Sequence, residues 1–219
     1  MLSRLYLLLL VLLSTALGAF AEWRVALPGW TPRFPEDHGA HTDFKTEWWY
    51  FTGNLESEDG HEFGYQLTFF RQGVIDPATQ TPASRFIQRD MKFAHFAVSD
   101  ISGKKFHHFQ KVSRGAFGEA GFGKDAVVAW IEKWACELIG PHDFRLRAES
   151  EGTSIDLELR SRRDPVWHGA DQVSQKAEGP GRASHYYSLT RMETTGTVRI
   201  GDREWRVSGL TWFDHEWAT

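Results

Sequence analysis

Glu62-Phe63-Gly64-Tyr65-Gln66-Leu67-Thr68-Phe69 decides the fold class, because Phe63, Tyr65, Leu67 and Phe69 alternate with Glu62, Gly64, Gln66 and Thr68. A period of two sends successive side chains to opposite faces, so this stretch reads as a strand with one face buried. Upstream, residues 46–56 form its hairpin partner through Ser57-Glu58-Asp59-Gly60, whose Asp-Gly pair suits a tight turn. Comparable runs follow at 91–100, 104–112, 126–139, 144–149, 154–160, 185–192, 196–200 and 204–217, separated by turn residues such as Ser102-Gly103, Gly140-Pro141, Glu151-Gly152 and Gly201-Asp202. No stretch carries a long amphipathic helical pattern. The chain is therefore expected to be all-β, an antiparallel barrel or sandwich. Segments 25–44 and 162–183, rich in Pro, Gly and His, read as ordered loops over a surface or mouth.

The N-terminus differs in kind. Arg4 precedes an apolar run from Leu5 to Leu13, and small residues follow at Ala19 and Ala21. That is the pattern of a secretory signal, too short for a spanning helix, with cleavage expected after Ala21 and a periplasmic or secreted destination. The net charge of −4 becomes one unit more negative once Arg4 leaves, which argues against nucleic acid as a partner. Cys136 is the sole cysteine, so an exported fold has no intrachain disulfide and depends on its core. Set between Trp134 and Leu138, Cys136 reads as a buried, inert thiol. An aromatic fraction of 14% can either fill a small barrel or line a cavity within it.

Chemistry concentrates in Glu204-Trp205-Arg206-Val207-Ser208-Gly209-Leu210-Thr211-Trp212-Phe213-Asp214-His215-Glu216-Trp217. In a regular strand Phe213, His215 and Trp217 share the inward face with Trp205, Val207 and Thr211, while Asp214 and Glu216 share the outward one; a bulge near Gly209 would invert the later half. Desolvation among rings would lower the His215 pKa and leave a neutral imidazole, either as a core histidine on a backbone carbonyl or as an acid–base group. On residues 46–54, Glu47 falls on the parity of Trp49 and Phe51; a carboxyl among rings would have a raised pKa and could act as an acid, or could sit at the strand entry paired to a base. His38-x-x-His41, His107-His108, His168 and His185 invite a metal, but no His-Glu-x-x-His occurs, and no metal or other cofactor is assigned. A Gly-x-Ser-x-Gly elbow is also absent.

Phe34-Pro35-Glu36-Asp37-His38, residues 46–55, Pro165-Val166-Trp167-His168-Gly169, Ala183-Ser184-His185-Tyr186-Tyr187-Ser188 and residues 209–217, in that order, resemble the carotenoid 1,2-hydratase (hydroxyneurosporene synthase) family and its AttH-like secreted relatives. The resemblance implies two lipocalin-like barrels in tandem. Residues 22–200 would form the first, and 201–219 its last strand or the start of a second that is largely missing. It implies a hydrophobic small molecule as partner, an isoprenoid, carotenoid or lipid, and hydro-lyase chemistry in an intact protein: water added to a C=C bond through a carbocation. It carries a catalytic His and Trp onto His215 and Trp217, with Asp214 as neighbouring orienter or acid. Candidate ligand-binding residues are Glu47, Trp49, Phe51, Tyr65, His185, Tyr187 and Phe213. The alternative is a non-catalytic carrier of a lipophilic ligand, at a membrane surface or beside an ABC exporter. Exposed Trp platforms would instead mark a carbohydrate-binding module.

Overall fold

The computed structural model describes residues 23–75, 87–123 and 126–219; the expected signal segment lies outside the described residues. The described residues form thirteen strands, β1 (Thr46–Ser57), β2 (Glu62–Gly73), β3 (Asp90–Asp100), β4 (Lys105–Ser113), β5 (Ala120–Phe122), β6 (Val127–Ile131), β7 (Trp134–Leu138), β8 (Phe144–Ser150), β9 (Thr153–Ser161), β10 (Val166–Trp167), β11 (Ser174–Gln175), β12 (Ala183–Ile200) and β13 (Arg203–Ala218). Among the described residues the helical content is two 3-10 turns, Glu36–His38 and Ala116–Gly118. The fold is all-β, as the period of two predicts.

The strands form one antiparallel sheet in the order β4-β3-β2-β1-β13-β12-β9-β8-β7-β6-β5, with β10 and β11 added to β12. The sheet curls into a nearly closed barrel. Across the seam, Phe96 of β3 meets Trp134 of β7 edge-on at 5.6 Å, and Lys111 of β4 lies 4.9 Å from the Trp134 ring. The inward parity of β2 is buried along its length, from Phe63 through Tyr65, Leu67 and Phe69 to Arg71. Opposing faces supply Phe144, Leu146, Leu157 and Leu159, so side chains fill the barrel centre. Cys136 is fully buried there, and burial pushes its thiol pKa up, as befits an inert core group.

β13 lies between β1 and β12, inside the sheet. Its register with β1 runs unbroken from Val207 to Ala218, so no bulge intervenes at Gly209. Glycine is required there because a Cβ would stand 2.0 Å from the Asn54 carbonyl oxygen of β1. Phe213, His215 and Trp217 consequently point inward and are fully buried, while Leu210 and Trp212 face out.

Three expectations need correction. The run 126–139 is a hairpin, β6 and β7, turning at Glu132 in the left-handed region (φ 53°) without a glycine to mark it. The runs 185–192 and 196–200 belong to one strand, β12, which absorbs a register shift between Leu189 and Met192. The loop 162–183 contains β10 and β11, both paired to β12.

Candidate functional site

Pairing across β12, β13, β1 and β2 stacks side chains in rows at one end of the barrel. The outermost row is His185, Trp217, Glu47 and Arg71, and the next is Tyr187, His215, Trp49 and Phe69. A third row, Leu189, Phe213, Phe51 and Leu67, forms the apolar floor, where Phe51 and Phe213 stack at 4.3 Å. The N-terminal segment closes this end. Its 3-10 turn buries Asp37 and His38, and His41 and Phe44 follow beneath it.

Glu47 is the hub. The backbone N–H of His41 donates to both its oxygens at 2.9 and 3.0 Å, His41 Nδ1 lies 2.7 Å and His215 Nε2 3.0 Å from Oε1, and Arg71 Nε donates to Oε2 at 3.2 Å. Arg71 also donates to the carbonyls of His41, at 3.0 Å, and of Phe44. Burying each ion costs several kcal/mol, and the density of donors offsets that cost. The expected raised pKa at Glu47 is therefore reversed. Burial alone would raise it, but the His41 charge and the His215 and His41 contacts hold it well below the usual carboxylate range. Glu47 is an anion, not an acid.

His41 stands between two carboxylates, with Nε2 3.4 Å from Asp37 Oδ1. Burial would lower its pKa, yet Glu47 and Asp37 together raise it, making it an imidazolium. Trp217 stacks flat on that ring at 3.8 Å and 7°, a placement that stabilises a cation. Asp37 is itself fixed by Trp30 Nε1 at 3.2 Å and the Arg33 N–H at 2.8 Å. His215, fully enclosed, behaves oppositely: burial lowers its pKa, and the imidazole is neutral. It stacks on Trp49 at 4.8 Å, whose Nε1 donates to the His38 carbonyl at 2.9 Å.

A polar chain continues from His215. Its Nδ1 lies 3.1 Å from the Asp37 carbonyl oxygen and 3.2 Å from the Tyr187 hydroxyl, which lies 2.7 Å from His38 Nδ1. His38 Nε2 faces the Pro141 carbonyl and His142 Nδ1, each at 2.9 Å. Burial first, then His142 and His215, push the His38 pKa down to about 3. The Pro141 carbonyl can only accept, so the His38 proton sits on Nε2 and Tyr187 donates its hydroxyl proton to His38 Nδ1.

Of the residues expected from sequence, His215, Trp217, Glu47, Trp49 and Tyr187 share this cluster, with Phe51 and Phe213 below. His185 flanks it, 5.8 Å from Trp217 between ring centres and 2.9 Å from the Gln172 carbonyl through Nδ1. Two do not join. Tyr65 lies a further row down, its hydroxyl 2.6 Å from Thr211 Oγ1. Asp214 points outward, where its Oδ1 accepts from Tyr186, Ser188 and Trp212, so it cannot orient His215; Glu47 does that. Asp37, His38, His41, Arg71 and His142 were not assigned from sequence as members of this cluster. His38-x-x-His41 was visible, and Arg71 extends the inward parity of β2.

Above the cluster, Trp23 to Val25, Leu27 to Trp30 and His185 line a cleft of about 380 Å³. Trp30 separates the two, 5.4 Å from His41 and 5.6 Å from Trp217 between ring centres. Arg24 lies over Trp30 at 4.9 Å and pairs with Asp43 at 3.1 Å.

A family model described as AttH-like matches residues 25–219. No curated protein matches the sequence. Among solved structures, a candidate AttH protein from Nitrosomonas europaea is 32% identical, with a TM-score of 0.78 over 89% of this chain and 58% of its own. Kievitone hydratase from Nectria haematococca shares 9% identity and a TM-score of 0.65 over 86% of this chain and 52% of its own, a likeness of fold. The chain thus spans 58% of the length of the first of these relatives.

Proposed function

The chain belongs to the AttH-like family, and from that premise we propose that it takes a hydrophobic isoprenoid or lipid at the Trp30 end of its barrel and adds water across a C=C bond there. One observation carries this reading. A single oxygen, Glu47 Oε1, touches both His41, whose pKa Glu47 and Asp37 push up, and His215, whose pKa burial pushes down. Neighbouring groups whose environments drive their pKa values apart supply an acid and a base together. His41 gives a proton to one carbon, water adds to the other and loses its proton to His215, and Glu47 returns that proton to His41. The atoms balance and the protein regains its starting state. Trp30, which separates the cleft from His41 and Trp217, has to turn aside for the substrate to reach them, and its ring and that of Trp217 would then flank the developing cation. The cleft of about 380 Å³ is of ligand size, with Leu27, Pro28 and Trp30 on its wall. The likeness of fold to kievitone hydratase is consistent with this chemistry.

A carrier is the second reading, favoured by the complete enclosure of His215, Glu47 and Trp217. Incubating the purified chain with an acyclic isoprenoid in ¹⁸O-labelled water separates the two. Hydration predicts a product heavier by one labelled water; a carrier retains the isoprenoid unchanged, and that result overturns the enzymatic proposal.

A further inference from the structure

His41 Nδ1, Glu47 Oε1 and His215 Nε2 come from three separate segments, the N-terminal closure, β1 and β13, and a ligand atom from each lies within 4.8 Å of the others in a fully buried space. What stands behind the two imidazoles is as informative as what they face. His41 Nε2 is backed by the Asp37 carboxylate at 3.4 Å, and His215 Nδ1 by the Asp37 carbonyl at 3.1 Å. Both are acceptors only, so each calls for an N–H on the outer nitrogen. His215 Nε2 faces the same Glu47 oxygen as His41 Nδ1, at 3.0 Å.

We propose that His41, Glu47 and His215 form a binding site for a divalent cation of the zinc class. Two imidazole nitrogens and one carboxylate oxygen suit a borderline metal, and three protein ligands leave a fourth position for water. Outer nitrogens donating to a carboxylate and a carbonyl are the surroundings that orient metal-bound histidines, and here one residue, Asp37, provides both. The two edges that meet at Glu47 Oε1, 2.7 and 3.0 Å, need to spread only a few tenths of an ångström to reach the roughly 3.3 Å edge of a tetrahedral zinc site, and the edge between the two imidazole nitrogens, which lie within 4.8 Å of each other, has to settle at the same length. Arg71 stays on the other carboxylate oxygen and anchors it. With a divalent ion and both rings neutral, Asp37, Glu47 and Arg71 leave one surplus positive charge, which a metal-bound hydroxide would cancel. The inference stands on the ligand geometry alone: the ion would occupy the three atoms that the hydration proposal uses as acid, relay and base, so the two are alternative states of one site and metal binding is read on its own.

The test strips the full chain with a chelator, desalts it, and adds zinc or cobalt. One equivalent of zinc per chain by elemental analysis, with a visible d–d band for cobalt, is expected. His41→Ala and His215→Ala should each abolish uptake, Asp37→Asn should weaken it roughly 10–100-fold, and His108→Ala, on the exposed face, should leave it unchanged. If the alanine variants fail to fold by circular dichroism, X-ray absorption of the cobalt-loaded parent decides, with two imidazoles expected around the ion. A folded parent that takes up no stoichiometric metal, uptake undiminished in the folded alanine variants, or a cobalt shell without imidazole overturns the site. Stoichiometric metal uptake without labelled-water turnover leaves the site standing while overturning hydration, and turnover by a folded chain that takes up no metal does the reverse.

Discussion

Glu47→Ala is expected to lower the unfolding free energy by about 3–5 kcal/mol, the range for removing one partner from a buried ion pair. The loss comes mainly from what remains. Arg71 is 1% exposed and cannot shed its proton, so without Glu47 it would keep only the two carbonyls as acceptors. His41 can shed its proton and so would lose its charge, its cation–π contact with Trp217 and its attraction to Asp37. Glu47→Gln, which keeps an oxygen for the His41 N–H, should be milder. Adding Arg71→Met to Glu47→Ala should recover part of the loss, because the stranded cation disappears. Urea denaturation at neutral pH measures all three. A cost below about 1 kcal/mol for Glu47→Ala would mean that the network is hydrated and weakly coupled.

His215→Ala is expected to reduce hydration by about 10²–10⁴-fold, the usual worth of a positioned acid–base group. It should leave isoprenoid retention largely intact, because the cleft is built from Trp23 to Val25, Leu27 to Trp30 and His185 and does not use His215. That split between turnover and binding is diagnostic. A general loss of packing would weaken both together, whereas loss of the base removes product alone. Mass spectrometry of product formed in labelled water, alongside co-elution of unreacted ligand with the protein, reads the two. Turnover that survives the substitution would place the base elsewhere.

The aim of His215 and Trp217 was legible in the sequence because it depends on a period of two, a local property that β13 obeys without interruption. Hidden turns were not. Glu132 takes a left-handed conformation with no glycine to announce it, so β6 and β7 read as one run. Gly196 gave the opposite false signal. It lies within β12, where a Cβ would stand 2.1 Å from the Asp156 carbonyl oxygen of β9, so a residue required by close strand approach looked like a break. The charge state of Glu47 was unreadable for a third reason. Its partners His41 and Arg71 reach it through loop closure and cross-strand pairing, and without them a carboxyl among rings is rightly expected to hold its proton. Asp214 was drawn toward His215 by adjacency alone, although neighbours along a strand face opposite ways.

The central claim is that one end of the barrel holds an acid and a base apart in charge by burial and pairing. Nitrogen-15 NMR of the histidine rings across pH 4 to 8, in chelator-treated protein, tests it most directly. His41 should remain an imidazolium at neutral pH, while His215 and His38, whose pKa lies near 3, should remain neutral there. The sign for stability follows. An unfolded His38 takes up its proton near pH 6.5 and the folded one only near pH 3, so its contribution is present above 6.5 and lost as pH falls toward 3. Distinct, unmoving ring signals for His41 and His215 around neutrality are the predicted result; rings that titrate together near pH 6.5, as free imidazoles do, would contradict the account.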